Sequence, residues 1–449
     1  MRFIKRDTYS LLIKGYAGAG KTTLALTILR ALGIRDNFFF ISTRISPKEL
    51  FSFYPWLSKF AERVLGNVEE GSLGPAVTPT FEDARLDEPE SLFERITNQL
   101  MDVKSPIIII DSWDAIASFM DKEGRLNNER VLQTWRERAG AKLIFISEHP
   151  DDTTLDFLVG GVVELRQRYY DNARFREILL LKLRGVRIDR PSYIYTLEDS
   201  VFRSFDPYLH PKARQAMQDK AISRKPVEVL ASNMIRSGFP SLDRALGGGF
   251  PRNGVVLLEH DEKVSFTTAL SVIAGLVSNF ISSGYPVLVQ PPKRVEPQEV
   301  MGTLNFALPR ERKGLVKILW PKKHAALADN IVIQSKRCPS SSAILRLKKK
   351  YPRKLVMNIM GGDLSGGESG RERDSTLKDQ IMSIRESDLS FAIAATSKEE
   401  LFESYSGLAD VHIRLLMINS TLFLHPVSPA STLYAVQFDE DRITADAVV

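Results

Sequence analysis

The stretch Leu11-Leu-Ile-Lys-Gly-Tyr-Ala-Gly-Ala-Gly-Lys-Thr-Thr-Leu-Ala25 determines how this sequence is interpreted. It contains the pattern G-x-x-x-x-G-K-[ST]. An apolar run over 9–13 precedes the pattern, and apolar residues at helical spacing follow it over 23–32. The sequence therefore predicts a loop between a buried strand and a helix, with Gly33 as the stop signal of the helix. The alternative is a plain glycine-rich turn between a strand and a helix.

This loop has the composition of a phosphate-binding site. Its glycines let backbone N–H groups close around phosphate oxygens, and the helix that follows points its positive end at them. Lys21 is expected to reach the β- and γ-phosphates, and the Thr22 hydroxyl to ligate Mg²⁺. ATP and Mg²⁺ are therefore the predicted ligands. The predicted nucleotide-binding residues are Gly15, Gly18, Ala19, Gly20, Lys21, Thr22 and Thr23.

Length and composition limit the class of protein. The chain has 449 residues, which suggests two or three domains, and its 43% apolar and 26% charged residues are ordinary for a soluble globular protein. The net charge of +6 permits an acidic partner without requiring one. Cys338 is the single cysteine, so an intrachain disulfide and a cysteine zinc site are excluded. Without a secretory segment or a membrane-spanning apolar run, we expect a cytoplasmic protein with no membrane contact.

A candidate metal-binding acid follows a second apolar stretch. Residues 105–113 read Ser-Pro-Ile-Ile-Ile-Ile-Asp-Ser-Trp, which is typical of a central parallel strand with an acid at its carboxyl end. Asp111 is the candidate for the Walker B aspartate that holds the water shell of Mg²⁺. Alone, Asp111 could equally be a solvated residue at a strand end. The phosphate loop upstream favours the metal role.

Strands alternate with helices in the first half of the chain, and antiparallel strands are expected after them. This order predicts an open α/β sheet with its ligand at the carboxyl edge. A helix is expected over 127–140. Further strands are expected at 37–43, 141–148, 160–166, 176–185 and 191–197.

The order of these parts resembles the RecA-like fold of the KaiC family. The parts are the phosphate loop, a strand ending near Ser42, the pair Asp111-Ser112, a strand ending in Ser147-Glu148, and Lys-Leu-Arg-Gly at 182–185. In that family the Lys-x-Arg-Gly element reaches the γ-phosphate bound by a neighbouring subunit. The resemblance therefore implies this catalytic role for Lys182 and Arg184, through stabilisation of charge on the phosphoryl group. Both could instead be ordinary charges on the exposed face of a strand.

One departure from the family concerns catalysis. KaiC- and RecA-like enzymes place a glutamate just after the second strand, where it polarises the attacking water, whereas this chain has Arg44 and Ile45 there. Arginine cannot act as a base at neutral pH, so Arg44 either senses the γ-phosphate or is a solvated charge. The acids that could substitute are Glu49, Asp114 and Glu148. The sequence thus supports nucleotide binding better than fast hydrolysis.

A phosphate loop so near Met1, followed by Ser-Thr-Arg-Ile-Ser-Pro at 42–47, is similar to the archaeal GvpD-type relatives of KaiC. GvpD acts as a regulator in gas-vesicle systems. The resemblance therefore implies a regulatory protein that works with a protein partner or as a homo-oligomer, with a hexamer among the candidates.

The second half of the chain opens like a second copy of the first. We predict an ATP-binding domain over 1–205, a charged linker over 206–234, and a degenerate domain over 235–449. Residues 237–251 resemble the preamble of a KaiC-type domain, and 255–259 predict the strand before a second loop.

That second loop has lost the features that bind phosphate. Its glycines are absent, Phe266 replaces the lysine, and Asp261 and Glu262 add negative charge. The expected fold is two tandem RecA-like α/β domains with mainly parallel sheets, the second of which is degenerate. An unrelated α/β domain with a coincidental Thr267-Thr268 pair is the alternative.

The densest basic stretch is Arg-Leu-Lys-Lys-Lys-Tyr-Pro-Arg-Lys at 346–354. It could contact nucleic-acid phosphates or an acidic partner, although such a run is more often a helix end whose lysines favour the dipole. Three hypotheses follow: a regulatory ATPase, a DNA-binding recombination or repair ATPase of the RecA family, and a module that holds ATP without turnover. The missing glutamate motivates the third, and the lack of an aromatic stacking motif disfavours the second.

Overall fold

The chain divides into two compact units, Met1–Ser204 with Val449, and Phe205–Val448. The structure, a computed structural model, describes residues 2–33, 38–57, 80–85, 91, 94, 105–120, 132, 136–137, 140–209, 230–231, 233–292, 294–305, 307–320, 331–333, 340–361, 379–395, 406–438 and 443–449. Most of the predicted linker over 206–234 and most of the predicted helix over 127–140 lie outside these residues. Each unit is an α/β body built on one large sheet, as the sequence predicts.

The first unit contains a nine-stranded sheet of order β3-β2-β4-β5-β1-β6-β7-β8-β9. The strands from β3 to β6 in this order are parallel, and the later ones are antiparallel. Its strands are β1 Tyr9–Gly15, β2 Phe38–Ser42, β3 Thr80–Asp83, β4 Ile107–Asp111, β5 Lys142–Ser147, β6 Gly161–Tyr170, β7 Ala173–Leu183, β8 Ser192–Thr196 and β9 Arg203–Ser204. The helices of this unit whose two ends the structure describes are α1 Lys21–Leu32, α2 Pro47–Phe53 and α3 Trp113–Ala117.

The parallel strands are buried on both faces, which explains their uninterrupted apolar sequences. In β2, Phe38 and Phe40 belong to the core cluster that includes α1, while Phe39 packs with Trp113 of α3 on the other face. Alternation of side chains across the sheet therefore fills two cores at once. Both cores fix β1 in the interior of the sheet, with its carboxyl end at the start of the phosphate loop.

The second unit repeats this arrangement in a ten-stranded sheet of order β16-β15-β14-β17-β18-β13-β19-β20-β21-β22. Three short strands, β10 Leu230–Ala231, β11 Met234–Ile235 and β12 Phe250–Pro251, form a separate small sheet. The strands of the large sheet are β13 Gly254–His260, β14 Val287–Gln290, β15 Val316–Trp320, β16 Ile331–Ile333, β17 Met357–Gly361, β18 Leu389–Ala395, β19 Val411–Ile418, β20 Thr421–Ser428, β21 Tyr434–Phe438 and β22 Ile443–Ala447. The helices whose two ends the structure describes are α4 Pro240–Ala245, α5 Phe266–Ser282, α6 Pro297–Leu304 and α7 Ser340–Lys350.

The two sheets have the same order of strands around their central strand. In the first, β2-β4-β5-β1-β6-β7 are neighbours, and in the second β14-β17-β18-β13-β19-β20 are. Both central strands, β1 and β13, have seven residues and are followed by a loop and a helix. The structure thus favours a duplicated domain over an unrelated α/β domain. None of the described helices is long and apolar enough to cross a bilayer.

Candidate nucleotide-binding site

The phosphate loop connects β1 to α1 in a conformation that requires glycine. Gly20 has φ 87°, and a Cβ there would lie 2.7 Å from Cδ1 of Leu197. Gly15 packs against β6, so that a Cβ would lie 2.4 Å from the carbonyl oxygen of Leu165. Gly18 has φ 76°. At these positions a residue with a side chain would clash with its neighbours or adopt a strained backbone conformation, which explains the glycines found in the sequence.

We expect Gly20→Ala to cost about 2–4 kcal/mol of unfolding free energy, because it adds a clash with Leu197 to the strain of a positive φ. Gly33→Ala is the matched control: Gly33 has φ 67° and nothing within 4 Å of an added Cβ, so strain alone should cost about 1–2 kcal/mol. Urea unfolding of both variants checks this. Equal losses would show that the loop does not pack against Leu197.

Two side chains from distant strands hold the loop through its carbonyl groups. The buried Tyr195 hydroxyl of β8 donates to the carbonyl oxygen of Ala19 at 2.6 Å. Nε2 of Gln167 in β6 donates to the carbonyl oxygen of Ala17 at 3.3 Å. Sequence reasoning missed both residues because no local spacing connects them to the loop. Only the pairing of β6, β7 and β8 beside β1 brings them there.

Lys21 is a buried cation at the start of α1. Its Nζ donates to the carbonyl oxygen of Tyr16 at 3.0 Å, so that the ammonium group lies under the loop. Burial lowers the pKa of Lys21, while the negative charges of Glu148, Asp111 and Asp114 act in the opposite direction. A phosphate group at this position would supply the negative charge that a buried ammonium requires.

Thr22 and Asp111 lie in direct contact, as the predicted metal role requires. The Thr22 hydroxyl donates to Oδ2 of Asp111 at 2.6 Å. Asp111 ends β4 and is buried, and burial raises its pKa, an effect that the Thr22 hydrogen bond opposes. The two oxygens are of the kind that Mg²⁺ prefers, and a magnesium ion takes its remaining ligands from water and phosphate. The residues present therefore fit Mg²⁺ together with a nucleotide.

The remaining predicted binding residue, Thr23, lies in the first turn of α1. Its Oγ1 lies 2.9 Å from the hydroxyl of Tyr54, the residue that follows α2. The structure thus brings together Lys21, Thr22, Thr23 and Asp111 at the carboxyl edge of the sheet.

The three acids proposed as substitutes for the missing glutamate have different surroundings. Glu49 accepts hydrogen bonds from the backbone N–H and the hydroxyl of Ser46, and so caps α2. Asp114 accepts from the Ser147 hydroxyl and from the backbone N–H of Glu148. Glu148 instead forms an ion pair with Arg44, at 2.6 Å between Oε2 and Nη2. Arg44 is therefore bound to an acid of the site and is not an isolated solvated charge.

Lys182 and Arg184 do not lie at the phosphate loop of their own chain. Nζ of Lys182 donates to the carbonyl oxygen of Asp156, and Arg184 donates to that of Phe157. The register pairs the intervening Leu183 with Gly161, and Gly161 with Leu11, four residues before the loop begins. Since a strand rises about 3.3 Å per residue, Lys182 and Arg184 lie roughly 13 Å from the carboxyl edge of the sheet, measured along the strands. This geometry rules out a contact within one chain and leaves the role across a subunit interface as a prediction.

The second unit has a loop of the same length but lacks the residues that would bind phosphate and metal. The five residues between β13 and α5 equal those between β1 and α1, so Phe266 takes the place of Lys21. Gly361 at the end of β17 corresponds to Asp111 at the end of β4. In the two sheets, Gly361 pairs with Ile393 and Asp111 pairs with Ile146. Both the lysine and the metal-binding acid are therefore missing.

In the second unit, a cluster of charged and polar side chains lies near the carboxyl end of β13, the strand that corresponds to β1. Glu259, the penultimate residue of β13, is 2% exposed, and its Oε2 lies 2.7 Å from both Nε of Arg414 and Nε2 of His412. The Asp261 carboxylate accepts from the backbone N–H groups of Lys263 and Met417. The acid expected to repel phosphate is thus also a structural group of the loop.

The basic stretch at 346–354 ends α7, and several of its lysines have internal contacts. Lys348 lies 3.7 Å from Asp388, while Lys350 and Lys354 lie over the rings of Tyr351 and Tyr285. Lysines in the last turn also favour the helix dipole. These contacts agree with the structural interpretation, and binding of nucleic acid stays a prediction.

Together, the glycine loop, the buried lysine and the Thr22–Asp111 pair at the edge of a mainly parallel sheet define a P-loop domain of the RecA-like class. Residues 1–184 match the family model described as "GvpD gas vesicle protein, P-loop domain". The N-terminal part of the chain is therefore similar to the GvpD and KaiC group of P-loop proteins, which confirms the resemblance found in the sequence.

Two of the similar curated proteins are from Halobacterium salinarum: Protein GvpD2, 27% identical over 312 residues, and Protein GvpD1, 27% identical over 310 residues. The circadian clock oscillator protein KaiC of Parathermosynechococcus lividus is 25% identical over 287 residues. The matches cover 67%, 67% and 61% of this chain, and 61%, 56% and 49% of the three relatives. The chain thus spans about half to three fifths of the length of these relatives.

Proposed function

We propose that the N-terminal unit binds ATP with Mg²⁺ and that the nucleotide state controls assembly or the binding of a partner protein, with slow hydrolysis at most. The observation that carries this proposal is the 2.6 Å contact between Thr22 and Asp111 beside the buried Lys21. These groups are the metal and phosphate ligands that phosphoryl-transfer sites share. The regulatory role rests on the likeness to GvpD.

Different residues of the site would bind the phosphates, orient the metal ion and hold the loop in place. The loop N–H groups and Lys21 hold the phosphates, and Mg²⁺ neutralises their charge when it is bound. Thr22 and Asp111 orient that ion. Tyr195 and Gln167 keep the loop in place without contacting the ligand.

Nucleotide titrations with and without Mg²⁺ test the metal role. Wild-type protein should bind ATP more tightly with Mg²⁺ than with EDTA, and Asp111→Asn should reduce this difference, by about tenfold, because it removes a charged metal ligand. Asp83→Asn, in the exposed Asp83–Arg85 pair, is the matched control and should retain the full difference. The same Mg²⁺ dependence in all three proteins would contradict the metal role of Asp111.

The predicted role of Lys182 across a subunit interface has its own test. If Lys182 acts on the nucleotide of a neighbour, Lys21→Ala and Lys182→Ala subunits should each turn over little ATP alone but regain turnover when mixed, because the intact phosphate loop of a Lys182→Ala subunit then receives Lys182 from a Lys21→Ala neighbour. Arg187→Ala is the control, since Arg187 is 91% exposed in the neighbouring turn and pairs with Asp189. The absence of any regained turnover in that mixture would exclude the shared site.

A further inference from the structure

Arg44 and Glu148 approach each other over the strand that carries the metal-binding acid. Arg44 follows β2 and Glu148 follows β5, and in the sheet β4 lies between these two strands. Their 2.6 Å ion pair therefore crosses above the end of β4, where Asp111 is located. Lys21, which is expected to hold the γ-phosphate, and this ion pair both lie at the carboxyl edge of the sheet.

The negative charge of Glu148 acts on Lys21, the cation that is expected to hold the phosphates. Among the acids that act on Lys21, Glu148 has the largest electrostatic effect, ahead of Asp111. Arg44 follows β2, where relatives have the glutamate, and Glu148 follows β5. The site therefore keeps a carboxylate, delivered by a different strand.

The ion pair is of a kind that a phosphate group can disrupt. The side chains of Arg44 and Glu148 are 54% and 31% exposed, and pairs this exposed contribute about 0–1 kcal/mol. A γ-phosphate offers Arg44 a doubly charged partner with several acceptor oxygens. Glu49 and Asp114, in contrast, accept hydrogen bonds that hold α2 and the turn after β5.

We propose that Arg44 and Glu148 form an ATP-responsive pair, in which the γ-phosphate draws Arg44 away and the freed Glu148 takes the proton of the attacking water. The bond between the water oxygen and the γ-phosphorus forms as the bond to the β-phosphate oxygen breaks. ADP leaves with that electron pair, and the water proton passes to Glu148, so that the products are ADP and inorganic phosphate. This inference rests on the proposed ATP binding.

The test measures single-turnover hydrolysis together with ATP and ADP affinity. Glu148→Gln should slow the chemical step by about 100-fold or more while ATP affinity stays within about threefold, as expected on loss of a general base. Arg44→Met should weaken ATP by about tenfold and leave ADP unchanged, because ADP has no γ-phosphate for the guanidinium to bind. Glu49→Gln, the matched acid from the cap of α2, should hydrolyse ATP at the wild-type rate.

Each outcome decides the proposal. Wild-type rates in Glu148→Gln overturn the role of Glu148, and equal weakening of ATP and ADP in Arg44→Met overturns the role of Arg44. A wild-type protein that binds ATP but releases no phosphate in a single turnover overturns this inference and leaves ATP binding intact. A wild-type protein that binds no ATP overturns both proposals.

Discussion

Lys21→Ala is expected to weaken ATP binding by at least about 100-fold, or about 2.7 kcal/mol, with little change in the stability of the N-terminal unit. The substitution removes the buried ammonium that would pair with the β- and γ-phosphates. Stability should not fall, because the ammonium is held by the carbonyl of Tyr16 without a direct ion pair in the described residues. Titration with a fluorescent ATP analogue, with circular dichroism as a check of folding, measures both effects.

Lys263→Ala provides the control for this experiment. Lys263 is exposed in the loop of the second unit that corresponds to the phosphate loop of the first. Its removal should leave ATP affinity unchanged. Wild-type affinity in a well-folded Lys21→Ala protein would show that the nucleotide, if it binds at all, binds elsewhere.

Glu259→Ala should destabilise the second unit by about 3 kcal/mol, because it leaves Arg414 and His412 in a largely buried position without their shared carboxylate. This would be the largest effect of a single substitution on the second unit among those considered. ATP binding should stay at the wild-type level, since Glu259 has no part in the first site. Urea unfolding followed by tryptophan fluorescence, in parallel with an ATP titration, measures both quantities.

The matched control is Glu262→Ala, an exposed acid three residues further along the chain, in the loop after β13, which should change stability by less than about 0.5 kcal/mol. If Glu259→Ala is as mild as Glu262→Ala, the ion cluster does not stabilise the second unit. If Glu259→Ala instead creates a second nucleotide site, the cluster had been blocking a functional loop.

The sequence predicted the parts of the site that lie close together along the chain. Gly15, Gly20, Lys21 and Thr22 form one continuous pattern, and it specified the strand, loop and helix that the structure shows. Asp111 could be found because four isoleucines before it indicate a buried parallel strand. The site requires the phosphate loop and Asp111 at the same edge of the sheet. Parallel strands provide this, because their carboxyl ends meet at one edge.

Contacts between strands far apart in the chain could not be predicted in the same way. The pair of Arg44 and Glu148 depends on β2 and β5 flanking β4, and an amino-acid pattern alone does not fix that order. Tyr195 reaches the loop only through a row of antiparallel strands. The sequence likewise indicated that the second site was lost, through Phe266, but gave no sign that Glu259 pairs with Arg414.

We propose that one unit of this protein binds a nucleotide and its metal while the structurally similar second unit does not. Equilibrium dialysis with radiolabelled ATP and Mg²⁺, at saturating ligand, tests it most directly by counting bound nucleotides per chain. The account predicts one ATP per wild-type chain and none for Lys21→Ala. Two per wild-type chain, or one retained by Lys21→Ala, would contradict it.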